Sequence, residues 1–275
     1  MSNFIIKSIG NTLNAASYIS ARYASNKALK LFSTPRKGRY SLEQESFIKD
    51  AKKNTISYQD LSIAVYHWKG KGKTVLLAHG WESNASRWSY ILEKLKDENY
   101  NIIALDAPAH GFSDGKLFNA VLYSNCINEV AKIYNPDVLI GHSVGGMASI
   151  FCLFQNDLPS VKKLVSLGAP AHFVGVFGRY KDMMGYNNRI SKTMDKLVEE
   201  RFGMTTDYFS AAKFIEDLDV ETLIIHDKND KIIPYEDALL FQKHYKNGNL
   251  ITTKGQGHGL RGESTIPQII EFIKA

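Results

Sequence analysis

The chain has 275 residues, of which 44% are hydrophobic and 23% charged, and it carries no low-complexity tract or internal repeat. These values are typical of a folded globular protein with one main core, and they exclude the disordered and fibrous classes. Residues 1–42 hold seven basic residues and no acidic one, which leaves 27 basic and 28 acidic residues in the rest of the chain. Because the net charge of +6 therefore belongs to the N-terminus, we expect no nucleic-acid partner for the main domain.

The first predicted element is a basic amphipathic helical segment over residues 1–45. Its apolar residues recur roughly at the spacing of one helical face: Ile5, Ile9, Leu13, Ala16 and Ile19. Lys7 and Asn11 interrupt the apolar runs, which argues against a secretory signal, and no stretch reaches the roughly 20 apolar residues that span a bilayer. Three interpretations stay open: a helix docked on its own domain, a peripheral contact of residues 1–40 with an anionic membrane surface, and a transit peptide.

From Ser57 onward, short apolar runs alternate with helix-like stretches. Residues 62–68 alternate apolar and polar side chains, which predicts an antiparallel strand with one wet face. Residues 74–80 form a continuous apolar run, as a strand of a parallel sheet does when both its faces are buried. Further strands are predicted over residues 100–108, 136–143, 161–170 and 220–227, and residues 249–259 hold the last strand and its loop. Helical patterns separate most of them: residues 86–98, 119–134 and 145–157. The alternation predicts an α/β fold with a mostly parallel central sheet and helices on both faces, over residues 55–275.

Residues 171–217 interrupt this alternation. They contain aromatic residues, methionines and helix-like stretches, and they show no convincing strand pattern. We expect a short helical cap over the carboxyl ends of the strands, where α/β sheets place their functional sites. Several apolar residues of this cap, with His142 of the sheet, are predicted to line a substrate pocket or to pack the cap onto the core: Phe173, Phe177, Tyr180, Met183, Met184 and Tyr186.

The stretch LIGHSVGGMASI, residues 139–150, places Ser143 between glycines, directly after a predicted buried strand and before a predicted helix. A Gly-x-Ser-x-Gly match alone arises by chance in roughly one of ten chains of this length. The strand–turn–helix context is more specific, because it would expose the serine hydroxyl above the sheet as a nucleophile. Two later strand ends carry an aspartate and a histidine, in HDKNDKIIP and GQGHGL, so the chain order is Ser, Asp, His.

This arrangement resembles the α/β-hydrolase family. The resemblance runs from about Leu61 to the C-terminus and rests on HGW at 79–81, DAPAHGFSDG at 106–115, GHSVGG at 141–146, IIHDKNDKIIP at 224–234 and GQGHG at 255–259. It implies a nucleophile at Ser143, a general base at His258 and an orienting acid at Asp230, with Asp227 as the rival acid.

The same resemblance assigns the oxyanion hole to the backbone N–H groups of Trp81 and Val144. It implies structural, loop-bridging roles for His79 and His110. Where the family pattern has glycine, this chain has Ala109, which restricts the backbone only if that position needs a positive φ. No His or carboxylate pair has metal-ligand spacing, and we expect neither a catalytic metal nor a cofactor.

The implied reaction is hydrolysis of a carboxylic ester through an acyl-enzyme on Ser143, with an apolar acyl or aromatic small molecule as substrate. The same residues serve thioesterases, carbon–carbon hydrolases and peracid formation, and the sequence does not separate these. A membrane-surface lipase and a catalytically silent binding protein are the remaining interpretations. Cys126 and Cys152 are expected to be buried free thiols, which favours a reducing, cytoplasmic location. The basic segment of residues 1–40 leaves peripheral contact with the inner membrane surface open.

Overall fold

The computed structural model describes residues 3–245 and 248–275. Met1 and Ser2, which belong to the predicted N-terminal segment, lie outside the described residues. The chain divides into two compact units. A helical unit contains the described residues of Met1–Thr34 together with His172–Ser210, and a sheet unit contains Pro35–Ala171 and Ala211–Ala275. Among the described residues, no helix combines the length and the apolar character that crossing a bilayer requires.

An eight-stranded sheet organises the described part of the sheet unit. Its strands are β1 (Lys52–Tyr58), β2 (Leu61–Trp68), β3 (Thr74–Ala78), β4 (Asn101–Leu105), β5 (Val138–His142), β6 (Lys163–Leu167), β7 (Glu221–Asp227) and β8 (Asn249–Thr253). They lie in the order β1-β2-β4-β3-β5-β6-β7-β8. The pairs β1–β2 and β2–β4 are antiparallel, and the strands from β4 to β8 pair in parallel. The predicted α/β fold with a mostly parallel sheet is confirmed.

All the predicted strands are present, and β1 is the strand that the sequence analysis missed. β1 lies at the edge of the sheet, and Ile56 is its one buried residue. An edge strand that buries so little lacks the apolar run by which the inner strands are recognised.

Helices cover both faces of this sheet. They are α3 (Leu42–Phe47), α4 (Ser89–Asp97), α5 (Ala120–Tyr134), α6 (Val144–Gln155), α9 (Ala211–Phe214), α10 (Tyr235–His244) and α11 (Thr265–Lys274). On one face, Trp88, Ile91 of α4 and Phe272 of α11 join strand residues such as Leu77 and Ile140 in a large apolar cluster. On the other side α5 packs against α6, and Cys126 and Cys152 of these helices are buried and unpaired, as predicted. Burial of this apolar surface stabilises the sheet and fixes the positions of its strand ends.

The described residues of the helical unit form four helices: α1 (Asn3–Ala16), α2 (Ala21–Ser33), α7 (Phe173–Met184) and α8 (Asn188–Phe202). The N-terminal segment therefore folds as two helices that lie against the helices of the cap. Asn14 of α1 donates from Nδ2 to the carbonyl of Gly185 and accepts at Oδ1 from the N–H of Asn187, both at 2.8 Å. In α2, the hydroxyl of Ser25 donates to the carbonyl of Ile190 at 3.2 Å.

The loop after β4 is ordered around one buried carboxylate. Asp106 accepts hydrogen bonds from the hydroxyls of Tyr40 and Tyr66 and from the N–H groups of Ala85 and Phe112, at 2.7 to 3.1 Å. Burial raises the pKa of Asp106, and these four hydrogen bonds partly offset that rise. The loop therefore has a fixed conformation next to the strand ends.

In this loop Ala109 has a φ of 65°, which is the left-handed conformation that favours glycine. This explains why the family pattern has glycine at this position. An alanine Cβ is strained there by about 1 kcal/mol. The N–H of Ala109 donates to the carbonyl of Asp114 at 2.7 Å, which holds the strained residue in place. The loop keeps its shape despite the substitution.

Ala109→Gly is expected to raise the free energy of unfolding by up to about 1 kcal/mol, because glycine adopts this φ without steric conflict. Ala107→Gly is the matched control. Ala107 is buried in the same loop without a positive φ, so glycine there should lower the free energy of unfolding by about 1 kcal/mol. Urea denaturation of both variants checks the opposite signs. A loss of stability in both would mean that the Cβ of Ala109 contributes more by packing than its strain costs.

Candidate active site

Ser143 lies in a sharp turn between β5 and α6. Its φ of 54° and ψ of −127° are uncommon for a residue other than glycine. The N–H of Ser143 donates to the carbonyl of Leu167 at 2.8 Å, and the N–H of Gly146 donates to the carbonyl of Ser143 at 2.9 Å. These bonds over-determine a strained backbone, and strain of this kind is a feature of functional sites. The Ser143 side chain makes no capping bond to α6, so its hydroxyl stays available.

The two glycines that flank Ser143 are required by close backbone approach. A Cβ on Gly141 would collide with the backbone of Gly146, and a Cβ on Gly145 would collide with the carbonyl oxygen of Ala78 at the end of β3. Only glycine allows β3, β5 and α6 to come this close. The sequence pattern around Ser143 is therefore what the packing of this turn demands.

Ser143, His258 and Asp230 form a hydrogen-bonded chain. His258 Nε2 lies 3.0 Å from Ser143 Oγ, and His258 Nδ1 lies 2.7 Å from Asp230 Oδ2. An ionised carboxylate can only accept a hydrogen bond, so Nδ1 of His258 carries a hydrogen and donates a hydrogen bond to Asp230. Nε2 is then the acceptor for the hydroxyl of Ser143. Asp230 is fully buried at its side chain, whereas His258 is partly exposed.

The environment of Asp230 favours its charged form. Burial alone raises the pKa of this carboxyl, but hydrogen bonds from His226, from His258 and from the N–H groups of Ile233 and Ile232 together lower it well below its ordinary value. His226 Nε2 lies 3.5 Å from Asp230 Oδ2 and also donates to the carbonyl of Ile233 at 2.9 Å. A carboxylate held ionised in this way can fix the tautomer of His258 and stabilise its protonated form.

Asp227, the rival acid, is occupied elsewhere. Its carboxylate accepts from the Thr253 hydroxyl and from the N–H groups of Gln256 and Asn229, each at 2.8 Å. Burial raises its pKa, and these hydrogen bonds outweigh that effect and lower it. Asp227 thus joins the end of β7 to the loop after β8, the loop that carries His258.

The loop after β3 runs directly beside Ser143. A Cβ on Gly80 would lie 2.9 Å from the Cβ of Ser143 and 2.9 Å from Nδ1 of His142. Trp81 is the next residue, so its backbone adjoins the serine. On the other side, Val144 is the first residue of α6, where backbone N–H groups have no partner within the helix. The positive end of the helix dipole also lies at this turn.

His79 and His110 bridge the loops around the site. His79 Nδ1 donates to the carbonyl of Gly80 at 2.7 Å, and Nε2 accepts from the N–H of Ala107 at 2.9 Å. His110 Nδ1 donates to the carbonyl of Pro108 at 2.8 Å, and Nε2 accepts from the N–H of Glu82 at 3.0 Å. Burial lowers the pKa of His79 to about 3 and that of His110 to about 4, so both rings are neutral. The two rings bond to Gly80 and Glu82, the residues on either side of Trp81, and so tie the backbone around Trp81 to the loop after β4.

Two buried side chains hold the loop of His258. His142 Nε2 donates to the carbonyl of His258 at 2.8 Å, and Arg87 donates to the carbonyl of Gly259 at 2.6 Å. Burial, followed by the positive charge of Arg87, lowers the pKa of His142 well below its usual range. Burial lowers the pKa of Arg87 to about 9. His142, which we predicted as a pocket residue, therefore contacts the backbone of the His258 loop.

The other predicted pocket residues belong to the helical unit. Phe173 and Phe177 stack on each other with ring centroids 4.8 Å apart, and Phe32 of α2 lies 5.2 Å from Phe177. Met183 is exposed and Met184 is buried. These contacts give α7 an apolar side against α2, and a role of the four residues in a substrate pocket stays a prediction.

Sequence reasoning missed three residues around the candidate site: Arg87, His226 and Gly168. Gly168 has a φ of 55°, and a Cβ there would lie 3.5 Å from Asp230 Oδ2 and 3.6 Å from His258 Nδ1. A glycine directly after a buried strand was a readable signal for this left-handed turn. Arg87 and His226 carried no such signal, because their partners lie in loops that no local pattern brings together.

The sequence matches two family models. The one described as alpha/beta hydrolase family covers residues 75–221, more than half of the chain, and one described as TAP-like protein covers residues 205–273. The AB hydrolase superfamily protein YisY of Bacillus subtilis (strain 168) is 24% identical over 69% of this chain and 86% of that protein. A pimeloyl-[acyl-carrier protein] methyl ester esterase of Vibrio vulnificus (strain YJ016) is 26% identical over 53% of this chain and 55% of that protein.

A solved structure, an esterase of Pyrococcus furiosus, superimposes with a TM-score of 0.67 at 19% identity, over 88% of this chain and 97% of that chain. At this identity the likeness concerns the fold, and it agrees with the mostly parallel sheet and its helices. The family model adds the sequence relationship, because it spans β3 to the start of β7 and includes the turn of Ser143. The chain therefore belongs to the alpha/beta hydrolase family and is a hydrolase.

Proposed function

We propose that this hydrolase is a serine esterase that cleaves a carboxylic ester through an acyl-enzyme on Ser143. The observation that carries the proposal is the chain of hydrogen bonds from Ser143 through His258 to the buried carboxylate of Asp230. A serine hydroxyl becomes a strong nucleophile when a neighbouring imidazole takes its proton. The Nε2 atom of His258 is free to accept that proton, because Asp230 holds the other proton of the ring on Nδ1.

In the first half of the reaction, Ser143 Oγ attacks the carbonyl carbon while its proton moves to His258 Nε2. The carbonyl electrons move onto the oxygen, and the N–H groups of Trp81 and Val144 are the proposed donors to this oxyanion. Each such donor contributes about 3 kcal/mol to stabilisation of the transition state. When the carbonyl re-forms, the bond to the alcohol breaks, and His258 gives its proton to the leaving alkoxide.

In the second half, water replaces the alcohol. His258 Nε2 takes a proton from the water while its oxygen attacks the acyl carbon, and the collapse of this intermediate releases the carboxylic acid. Ser143 Oγ leaves as the ester bond to the enzyme breaks, and His258 returns the proton to it. The charge of Asp230 stabilises the imidazolium in both halves. Every proton in the cycle therefore passes through the one nitrogen that faces Ser143.

The substrate class is proposed from the sequence and from the relatives. The aromatic and methionine side chains of α7 favour an apolar acyl or aromatic ester. One relative is a pimeloyl-[acyl-carrier protein] methyl ester esterase, and the similar Pyrococcus furiosus protein is an esterase. Thioester hydrolysis uses the same residues and is the alternative that a substrate test must separate.

A fluorophosphonate probe is expected to label the full chain at Ser143 and to leave Ser143→Ala unlabelled, because only an activated serine attacks phosphorus readily. Ser149→Ala is the matched control: this buried serine lies further along α6, and its hydroxyl donates to the carbonyl of Gly145 at 2.8 Å. Ser149→Ala should label like the unmodified chain. Equal labelling of Ser143→Ala would refute the nucleophile assignment.

The substrate is tested with p-nitrophenyl esters of increasing acyl length beside the matching acyl-thioesters. We expect kcat/KM to rise with acyl length for the oxygen esters, because a longer apolar acyl chain buries more surface. A higher kcat/KM for the thioesters would mean that the enzyme is a thioesterase and not an esterase. If Ser143 is labelled but neither series is hydrolysed, the interpretation as a catalytically silent binding protein would be favoured.

A further inference from the structure

The outward face of α1 is unusual for a helix in contact with water. Its exposed positions are Phe4, Ile5, Lys7, Ser8, Asn11, Thr12 and Ala15, and it continues into the exposed corner Tyr18–Ile19 before α2. Lys7 is the one charged residue among these described positions, and its Nζ lies beside Gly185 at the connection between α7 and α8. A helix that faces solvent ordinarily presents charged residues on that side. Here large apolar side chains stand at both ends, and the described exposed residues between them are uncharged except for Lys7.

The exposure of the end residues is nearly complete. The exposed fractions are 80% for Phe4, 73% for Tyr18 and 93% for Ile19. The opposite side of α1 already contacts other helices, because Gly10 packs against the carbonyl of Met184 and Asn14 bonds to the α7–α8 connection. Helices α7 and α8 thus fix α1 through its inner side, while Tyr18 and Ile19 stay largely exposed.

The neighbouring helix α2 supplies positive charge. Its exposed residues are Arg22, Tyr23, Asn26, Lys27 and Lys30, three of them cationic and none acidic. Arg189 of α8 lies over the ring of Tyr18 at 5.2 Å, which adds a cation beside the corner. The helical unit holds ten basic and five acidic residues, whereas the much larger sheet unit holds 24 basic and 23 acidic residues. The positive charge of the protein is therefore concentrated on the unit that carries the apolar face.

We propose that the outward surface of α1 and α2 docks onto an anionic lipid bilayer. Phe4, Tyr18 and Ile19 would enter the boundary between headgroups and acyl chains, and Lys27 and Lys30 would meet the lipid phosphates. A second copy of the chain fits less well, because a two-fold dimer places the same cationic surface against itself. The inference does not depend on the proposed esterase activity, since binding to vesicles is measured without a substrate.

The test is co-sedimentation of the full chain with vesicles. Vesicles of phosphatidylcholine and phosphatidylglycerol in equal amounts should bind at least about tenfold more protein than vesicles of phosphatidylcholine alone. Added salt should weaken the binding, because the attraction to the phosphates is screened. Equal binding to both vesicle types, or no binding to either, would overturn the proposal.

Variants separate the apolar contribution from the electrostatic one. The double variants Tyr18→Ser with Ile19→Ser, and Lys27→Glu with Lys30→Glu, should each reduce binding to anionic vesicles about tenfold or more. Leu42→Ser is the matched control, since Leu42 is 88% exposed but lies in the sheet unit, and it should bind like the unmodified chain. All four positions are exposed, so circular dichroism should show unchanged folding. If instead the first double variant only abolishes a concentration-dependent dimer, the face binds a second copy and the proposal fails.

Discussion

Asp230→Asn is expected to lower kcat for ester hydrolysis by about 10⁴-fold with little change in KM. The structure gives the reason atom by atom. Oδ1 of Asp230 accepts from the N–H groups of Ile232 and Ile233 at 2.8 and 3.0 Å, so the asparagine oxygen will occupy that position. Its NH₂ group then faces His258 and turns the ring into the tautomer with the proton on Nε2. A protonated Nε2 cannot accept the proton of Ser143.

Asp227→Asn is the control for this experiment. Asp227 contacts Thr253, Gln256 and Asn229 rather than His258, so kcat should stay within a few-fold of the unmodified enzyme. The variant should instead lose about 1–3 kcal/mol of stability, because an amide cannot accept all of these hydrogen bonds. Steady-state kinetics and urea denaturation of the two variants decide the assignment. If Asp227→Asn lost activity as strongly as Asp230→Asn, the acid could not be assigned to Asp230 alone.

Much of the sheet could be predicted because its inner strands are buried on both faces. Such strands read as continuous apolar runs, and the helices between them have their own period. β1 escaped because an edge strand with one buried residue, Ile56, has no comparable pattern. The pairing of the N-terminal helices with the cap was equally hidden, since Asn14 and Gly185 are 171 residues apart and no local pattern records their contact.

The candidate site, like the sheet, could be predicted in part from the sequence. Ser143, Asp230 and His258 each follow a strand of a sheet that was predicted as mostly parallel, so they were expected at the same edge of that sheet. The resemblance favoured Asp230 over Asp227, but only the structure shows which way each carboxylate points: Asp230 bonds to His258, and Asp227 bonds to the N–H of Gln256. Arg87 was missed for a related reason: its contact, the carbonyl of Gly259, is a backbone atom and leaves no mark in the sequence.

The loops that carry the site depend on histidines that are buried and neutral. His79 and His110 each use one ring nitrogen as a donor and the other as an acceptor, with ring centroids 5.4 Å apart. Protonation would turn each acceptor nitrogen into a second donor that faces a backbone N–H. Burial also makes the charged form costly, and the pKa values of about 3 and about 4 express this. The conformation around Trp81 is therefore stable only while both rings stay neutral.

We accordingly expect the free energy of unfolding to fall as the pH falls from about 7.5 to about 4.5. The pKa of an unfolded histidine is about 6.5, so below that pH the unfolded chain binds protons that the folded chain does not, and this favours unfolding. With folded pKa values of about 3 and about 4, His79 and His110 together contribute a loss of about 5 kcal/mol over this range. His142, whose pKa is also lowered, acts in the same direction, whereas the raised pKa of Asp106 opposes it.

Urea denaturation at several pH values, followed by tryptophan fluorescence, measures this loss. All three tryptophans lie in the sheet unit, and the ring centroid of Trp81 is 5.5 Å from that of His110. The fluorescence therefore reports unfolding of the unit that contains both histidines. His110→Gln should be less stable at pH 7.5, because it loses hydrogen bonds, but its stability should fall by about 2.5 kcal/mol less toward pH 4.5, since the contribution of His110 is gone. A His110→Gln curve parallel to that of the unmodified chain would assign the acid sensitivity to other groups and contradict the role of this ring.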